Sequence, residues 1–542
     1  MKKILNIFIL ALSFTLITAC DSGFDELNKS KSGATSLDPV FTLNNAVISS
    51  SPSSSLIYES AIVQQWFSTN TGVLEGGNFN KVQVNNTPAN WNNYYQNVIK
   101  YTNDVIAATK DDASRANLYQ MARIIQANAF MVLTDTYGDI PYLEAGGGYS
   151  AQKFFPKYET QQSIYPLIID ELMQAVAGLN AAGRIEIGDA LFAGNITKWK
   201  RFGNSLLLRA GMRLTKADAT KAAAAVAAAV AGNAANNLIT TNADNAIIRH
   251  DANFVNGFGN TVNGGEAANF YLAQPFVNAL KGTPGNVGKT TVVDPRLSAI
   301  AIRYGGARSG GDQTANSFGN GSKAAADQFG APIGSTDGEA DIAGATLPAG
   351  GLYGTPPAPR SGNRFSYSQV DRNRMVKRTS PLFIVTAAQT NLLLAEAAMR
   401  GFAGLTTGQA ATFFNEGIKS HMDQMASYDP GSAISTSARD TYANGAEGTL
   451  LNGSLAAALP QIGYQYWVAS FLNGPEAWAN FRRISYPALA PNPFSGSQVP
   501  GAFIERLTYP DAERLVNNDN VTAAISTLGG PDALSTKVWW AK

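Results

Sequence analysis

The sequence is poor in the residues that most enzyme sites use. Of its 542 residues, one is cysteine and two are histidine. A single cysteine excludes an intrachain disulfide and a multi-cysteine zinc or redox site. His250 and His421 alone leave almost no material for a Ser-His-Asp arrangement or a histidine-rich metal site. We therefore predict no catalytic residues, no metal and no cofactor, and we interpret His421 as a packed residue of an amphipathic helix.

The chain also lacks a long hydrophobic run. The N-terminal run Ile4–Ile17 follows a start with two lysines, and it is shorter than the roughly 20 apolar residues of a transmembrane helix. This pattern is typical of a signal peptide. The run ends at Ile17-Thr18-Ala19-Cys20, which looks like a bacterial lipobox. We predict a signal peptide over 1–19, lipidation of Cys20 and a polar tether over 20–36.

Charge is scarce as well. Charged residues make up 15% of the chain, against roughly 25% in ordinary soluble domains. Loss of Lys2 and Lys3 with the signal peptide lowers Lys plus Arg from 41 to 39 against 40 Asp plus Glu, for a net charge of about −1. Nucleic acid needs clustered positive charge, so we predict no nucleic-acid partner.

Helical periodicity dominates the rest of the sequence. Apolar residues from Leu118 to Leu133 follow the i, i+3, i+4, i+7 spacing of one helix face, and Gly138 ends that helix. Strand-like alternation is scarce. The pattern predicts an all-α fold of tetratricopeptide-like helix pairs, with unordered helical bundle packing as the alternative, because no clean repeat of about 34 residues is found. Further helices are predicted over Ile164–Leu179, Trp199–Leu214, Lys221–Ala231, Leu382–Met399 and Ala410–Met425.

Loop-forming composition separates the helical stretches. Residues 37–542 are predicted to form a single domain with its helical scaffold mainly in 40–250, 380–426 and 460–485. Gly, Asn, Ser, Thr and Pro dominate the loop-rich stretches 250–380, 428–460 and 487–542. Loops longer than about 12 to 15 residues in compact proteins are usually functional or disordered. We expect these long irregular loops to carry a binding face.

Two patterns in the sequence suggest enzyme chemistry. In Gly282-Thr-Pro-Gly-Asn-Val-Gly-Lys-Thr290, five residues separate Gly282 from Gly288, whereas a phosphate-binding P-loop has four. Asp135 with Asp139, or Glu476 with a distant acid, could serve a glycosidase if their carboxyl groups lay about 5 to 9 Å apart. Most such carboxylates in helical proteins are surface or capping residues, so this second pattern remains an alternative.

Six sequence blocks, taken together and in order, resemble the SusD/RagB family of outer-membrane nutrient-binding lipoproteins. Each block alone would be a weak signal, but the set spans essentially the whole mature chain. By themselves the blocks look structural, since Gly138 suits a helix C-cap and Pro141 prevents the helix from continuing. The blocks are Leu133–Tyr142, Pro156–Tyr165, Trp199–Arg209, Leu392–Gly401, Gly474–Arg483 and Arg506–Glu513.

The resemblance implies a function that the motifs alone do not give. It implies a non-catalytic lipoprotein on the outer membrane, anchored by lipid and facing the cell exterior. It implies that the protein binds an oligosaccharide or another oligomeric nutrient and passes it, as a lid, to a SusC-like TonB-dependent β-barrel transporter. The alternatives are a surface glycoside hydrolase with paired carboxylates and a non-catalytic structural surface protein.

Candidate ligand contacts follow from chemistry, because the resemblance transfers no residue beyond Cys20. Neutral sugars are held by aromatic rings and by amide hydrogen bonds. Two stretches outside the evident helix cores offer that mixture, whereas Trp91, Tyr94 and Tyr95 are predicted to be core. The candidates are Gln65, Trp66, Asn78, Phe79 and Asn80 in the first stretch, and Phe254, Phe258 and Tyr271 in the second.

Overall fold

The computed structural model describes residues 37–542 except 52, 69–72, 149–150, 264–269, 284–291, 304–320, 335–366 and 451–452. The predicted signal peptide 1–19, the lipidation site Cys20 and the tether 20–36 lie outside the described residues, as does most of the rejected P-loop string. None of the described helices alone has the length and hydropathy to cross a membrane. The neighbouring stretches Ala219–Val230 and Ala234–Asp244 pass that test only jointly and are bent by 79°.

The fold is all-α, as the sequence predicts. Two π-helical segments, Leu74–Asn78 and Tyr94–Ile99, interrupt the α-helices near the N-terminus. The α-helices are α1 (Pro39–Ser49), α2 (Ser53–Ile62), α3 (Ala89–Asn93), α4 (Lys100–Thr109), α5 (Ala116–Tyr137), α6 (Gln161–Gly178), α7 (Ile196–Arg213), α8 (Ala219–Val230), α9 (Ala234–Asn237), α10 (Gly257–Asn263), α11 (Gln274–Lys281), α12 (Arg296–Ile300), α13 (Ala387–Met399), α14 (Thr407–Tyr428), α15 (Thr436–Ala443), α16 (Leu455–Ala469), α17 (Gly474–Ile484), α18 (Asp511–Val516) and α19 (Asn518–Thr527).

The described strands are short and form three two-stranded antiparallel sheets. β1 pairs with β3, β2 with β6, and β4 with β5. All three pairings join residues far apart in sequence, so they fix the loop-rich stretches onto the helical scaffold. The strands are β1 (Trp66–Ser68), β2 (Ala246–Ile248), β3 (Phe270–Leu272), β4 (Ala301–Ile302), β5 (Gln369–Val370) and β6 (Leu382–Val385).

Helices that follow one another in sequence pack as neighbours. The main contacts run from α5 to α6, from α6 to α7, from α7 to α8, and from α13 to α14. Local sequence sets the ends of these helices. Asn195 caps the start of α7 through its side chain, and Gly138, with a φ of 84°, ends α5. This arrangement confirms the predicted tetratricopeptide-like helix pairing.

One predicted helix is wrong in its first turn. The helix predicted over Leu382–Met399 begins only at Ala387, and Leu382–Val385 forms β6 against β2. Thr386 accounts for the boundary, because its side chain and that of Gln389 form a reciprocal capping box. A short, fully buried apolar run has no period that distinguishes a strand from a helix.

Most buried apolar side chains form one large core. Trp91 and Tyr94, predicted to be core, are buried, and Tyr95 packs against the core from the edge. His421 is buried, and its Nδ1 lies 3.2 Å from the Arg296 guanidinium. Burial first, and then the Arg296 charge, hold the pKa of His421 well below its ordinary value. The interpretation of His421 as a packed residue is confirmed.

Candidate functional site

The structure brings the two predicted stretches together. β1, from the first stretch, pairs antiparallel with β3, from the second, so that Phe67 lies opposite Tyr271. β3 continues the hydrogen bonding on its other side, where Leu272 N–H donates to the Ser368 carbonyl and Ala331 N–H donates to the Leu272 carbonyl. Four separate segments of the chain therefore meet at this sheet.

An aromatic cluster covers this sheet, apart from the main core. We define it by the buried residues Phe67, Phe79, Tyr271, Ala331 and Tyr367. Two half-buried rings, Phe329 and Phe494, pack against it. Separate satellite clusters of this kind are expected beneath long loops.

Ring contacts give the aromatic cluster a defined geometry. Phe79 and Phe494 stack with their centroids 3.9 Å apart and their planes 7° from parallel. Tyr271 and Tyr367 meet edge to face at 6.2 Å. Such pairs contribute roughly 0.5 to 1.5 kcal/mol beyond the burial of their area. The rings are thus held in place by one another.

Asn78 shapes the turn that carries Phe79. Its side-chain oxygen accepts the Ser68 N–H at 2.9 Å, and its amide nitrogen donates to the Trp66 carbonyl at 3.1 Å. Asn492 donates from its side chain to the Asn78 carbonyl. Asn80 follows with a φ of 52°, a left-handed conformation that asparagine tolerates better than most residues. The turn is therefore fixed before any ligand binds.

Three cations lie over the half-buried rings of the aromatic cluster. Lys81 Nζ is 5.2 Å from the centroid of Phe494. Lys281 Nζ is 4.5 Å and Arg303 Cζ is 5.2 Å from the centroid of Phe329. Burial first, and then the Arg303 charge, lower the pKa of Lys281. Both half-buried rings that flank the cluster therefore lie beside cations.

Several predicted ligand residues are packing residues instead. Trp66 is stacked on Phe471 at 5.4 Å and meets Phe258 edge to face at 5.1 Å, so both of these candidates lie in the main core. Gln65 is fully buried and donates to the Trp467 carbonyl at 2.6 Å. Burial leaves these side chains, and that of Asn78, no surface for a sugar. The structure therefore argues against ligand contact by Gln65, Trp66, Asn78 and Phe258.

The remaining candidates fall into two places. Phe79, Asn80 and Tyr271 belong to the aromatic cluster or adjoin it. Their side chains are buried as well, but beneath the loops and apart from the main core, and ligand contact there stays a prediction. Phe254 is 53% exposed and lines a different groove of about 490 Å³ with Leu37 and others. No residue of the aromatic cluster lines that groove, so the structure separates Phe254 from the rest of the second stretch.

The carboxylates considered for hydrolysis are bound within the helical scaffold. Asp135 accepts from Tyr165 Oη at 2.5 Å and from Trp540 Nε1 at 2.8 Å. Asp139 accepts from the Gln161 N–H at 2.8 Å and from the Thr527 hydroxyl at 2.6 Å. These bonds tie α5 to α6 and to the C-terminal residues. Both carboxylates therefore have a structural role.

Glu476 has a structural role as well, in ion pairs with two arginines. Its Oε2 lies 2.5 Å from Arg213 Nη2 and 3.3 Å from Arg209 Nε. Arg483, on the same helix as Glu476, pairs instead with Glu396 at 2.5 Å. Arg482 stacks on Trp478, with Cζ 3.6 Å from the ring centroid. Among the described residues, no three His, Cys, Asp or Glu side chains are grouped as a metal site.

Sequence reasoning missed the outer part of the site. The two half-buried rings come from a loop-rich stretch and from the C-terminal stretch, and their cations come from three further places in the chain. Local composition predicted loops there and nothing more. These residues come together only because segments remote in sequence pair with one another. The hydrophobic periodicity of the sequence carries no information about such pairing. The residues are Lys81, Lys281, Arg303, Phe329, Tyr367 and Phe494.

Comparisons with known proteins give a consistent result. The sequence model of a family described as starch-binding and associating with the outer membrane matches residues 31–510. A chitin-binding protein of known structure is 27% identical, with a TM-score of 0.75, and the match covers 93% of this chain and all of that one.

Other solved structures show the same fold at lower identity. A chitin-binding SusD homologue from Flavobacterium johnsoniae is 21% identical, with a TM-score of 0.71 and coverage of 93% and 98%. A SusD homologue from Bacteroides fragilis is 20% identical, with a TM-score of 0.73 and coverage of 93% and 100%. A search of curated proteins found no match.

Proposed function

This chain belongs to the SusD-like family, and on that basis we propose that it is a cell-surface lipoprotein that captures oligosaccharides and delivers them to a SusC-like TonB-dependent transporter. The observation that carries this proposal is a likeness over the whole domain to a chitin-binding protein. The match covers 93% of this chain and all of the chitin-binding protein.

The aromatic cluster is the best-supported place for the ligand. It unites the two stretches that sequence chemistry singles out, and its rings and turns are fixed by stacking and by Asn78. A pre-organised site loses less conformational entropy on binding than a flexible one. The cluster is joined to the helical scaffold through α2, which precedes β1 in the chain and packs against it.

Binding without hydrolysis is favoured over the glycosidase alternative. Asp135, Asp139 and Glu476 are each engaged in hydrogen bonds or ion pairs within the scaffold. A general acid must be free to give its proton to the leaving oxygen of a glycosidic bond. Carboxylates committed to buried arginine, tyrosine and tryptophan partners are poorly suited to that task.

Delivery to a transporter is tested by affinity isolation of the tagged lipoprotein after gentle detergent extraction. We expect one large β-barrel protein to be recovered with it at comparable stoichiometry. A stable interface should bury more than about 1,600 Å² and be rich in uncharged and aromatic contacts. Recovery of the lipoprotein alone would contradict the delivery proposal.

The anchor is tested separately, by cell fractionation of the Cys20→Ser variant. This change removes the thiol that lipid would modify and leaves the described domain untouched. In a strain from which the barrel gene is deleted, the variant should leave the membrane fraction while the wild-type protein stays in it. Retention of the variant in that strain would contradict the lipid anchor.

A further inference from the structure

Cations lie over the two half-buried rings that pack against the aromatic cluster. Phe79 presents its face to Phe494, and the Phe494 ring in turn lies under the Lys81 ammonium. Lys281 and Arg303 both lie within 5.2 Å of the Phe329 centroid. A sugar that approached these two rings would meet ammonium and guanidinium groups first.

The two lysines, Lys81 and Lys281, are poorly balanced by acids. Asp327 is the carboxylate that acts on Lys281, and it accepts the Ser322 hydroxyl at 2.5 Å. Within the described part of the chain, no carboxylate lies within ion-pair distance of Lys81 or Lys281. Lys377, another half-buried lysine, differs because it pairs with Asp429 at 2.8 Å.

Lys281 has hydrogen-bonding capacity to spare. Its ammonium carries three donors, and the described bond is the one to the Gln328 carbonyl at 2.8 Å. Burial and the nearby Arg303 charge lower the pKa of Lys281, which means that its charged form lacks compensation. An anion bound beside it would supply the missing acceptor and the missing charge.

We propose that the aromatic cluster takes an acidic oligosaccharide, with carboxylate or sulfate groups of the glycan paired to Lys81 and Lys281. This inference rests on the proposed function, because it names the class of glycan for that same site. Neutral hydroxyls would leave both ammonium groups without a counter-charge. Charge-assisted hydrogen bonds are roughly twice as strong as neutral ones, so an acidic glycan gains more at this surface.

Titration calorimetry of the mature lipoprotein with matched pairs of probes tests the inference. The pairs are hexagalacturonate with its methyl ester, and a sulfated carrageenan hexasaccharide, which contains no uronic acid, with its neutral desulfated form. We expect at least one acidic probe to bind about tenfold or more tightly than its neutral partner, since hydrogen bonds to charged groups contribute roughly 1.5 to 3 kcal/mol. The preference should shrink as salt is added.

Single substitutions locate the effect. Lys81→Met and Lys281→Met should each weaken binding of the acidic probe by about tenfold and leave the neutral probe unchanged. Lys281→Arg should retain most of the preference, and it also shows whether loss in Lys281→Met reflects charge or misfolding. Lys110→Met is the matched control, because the Lys110 side chain is 57% exposed and lies beside Asp111. This control should bind every probe as the wild type does.

Two outcomes separate failure of this inference from failure of the proposed function. If chitin or starch oligomers bind but no acidic probe is preferred over its neutral partner, the acidic-glycan inference is overturned and glycan binding stands. If no oligosaccharide of any kind binds, both are overturned. Equal binding of acidic probes by the wild type and by both methionine variants would also overturn the assignment to Lys81 and Lys281.

Discussion

Replacement of Glu59 by glutamine is expected to stabilise the protein at alkaline pH by several kcal/mol. Glu59 lies in α2 and is fully buried. Asn90 donates to its Oε1 at 2.6 Å, and its Oε2 has no hydrogen-bond partner among the described residues. Burial, partly offset by the Arg482 charge, raises the pKa of Glu59 from about 4.5 to about 8.

The sign of the effect follows from proton linkage. Between pH 4.5 and 8 the folded protein holds a proton on Glu59 that the unfolded chain has released, so stability falls as the pH rises through this window. Each pKa unit corresponds to about 1.36 kcal/mol, so the full cost is on the order of 5 kcal/mol above pH 8. Glutamine resembles the protonated side chain and avoids this cost.

Urea unfolding at several pH values measures the difference. Glu59→Gln and wild type should unfold alike below about pH 4.5, and the variant should gain stability progressively up to about pH 8. Glu416→Gln is the matched control, since Glu416 is exposed on α14 and surface substitutions usually change stability by less than about 0.5 kcal/mol. If Glu59→Gln raised the free energy of unfolding by the same amount at every pH, ionisation of Glu59 would not be the cause, and the account would be contradicted.

Replacement of Arg213 by methionine is expected to cost about 3 to 5 kcal/mol of unfolding free energy. Arg213 is 1% exposed, and its guanidinium bridges Asp135 of α5 at 3.1 Å and Glu476 of α17 at 2.5 Å. Arg209 lies 3.3 Å from the same Glu476 oxygen. The four side chains carry no net charge together, and removal of Arg213 leaves one carboxylate uncompensated in the core.

A charge-balanced double variant separates charge from packing. Asp135→Asn with Arg213→Met removes one charge of each sign and leaves the Arg209 and Glu476 pair intact. If the uncompensated charge causes the loss, the double variant should be more stable than Arg213→Met alone, as measured by denaturant unfolding. A double variant that loses the sum of both single losses would show that packing and hydrogen bonds carry the effect instead.

The scaffold could be predicted from the sequence because its signals are local. The periodic run of α5 and the positive φ of Gly138 lie within one stretch of chain, and so does the capping residue of α7. The error at Leu382–Val385 arose where the local signal is ambiguous, since a short buried run suits either a strand or a helix. The partner of Arg483 was also unpredictable, because Glu396 comes from a different helix pair.

The candidate site was predictable only in part for the same reason. The mixture of aromatic and amide side chains in the first stretch pointed to Phe79, and that in the second stretch pointed to Tyr271. In the structure the two stretches pair. The same reasoning included Trp66 and Phe258, because composition cannot tell a ring in the core from a ring beneath a loop. The cations over Phe329 and Phe494 depend on contacts between remote segments, which the sequence does not display.

Capture of an intact oligosaccharide is the central claim, and one measurement tests it most directly. The mature lipoprotein in mild detergent is titrated with chitin, starch and acidic oligosaccharides by calorimetry, and the sugars recovered from each titration are sized by chromatography. The account predicts saturable binding of at least one oligosaccharide class, with every recovered sugar at its original length. Shortened products that disappear when Asp135, Asp139 or Glu476 is replaced would contradict it, and so would an absence of binding across the whole set.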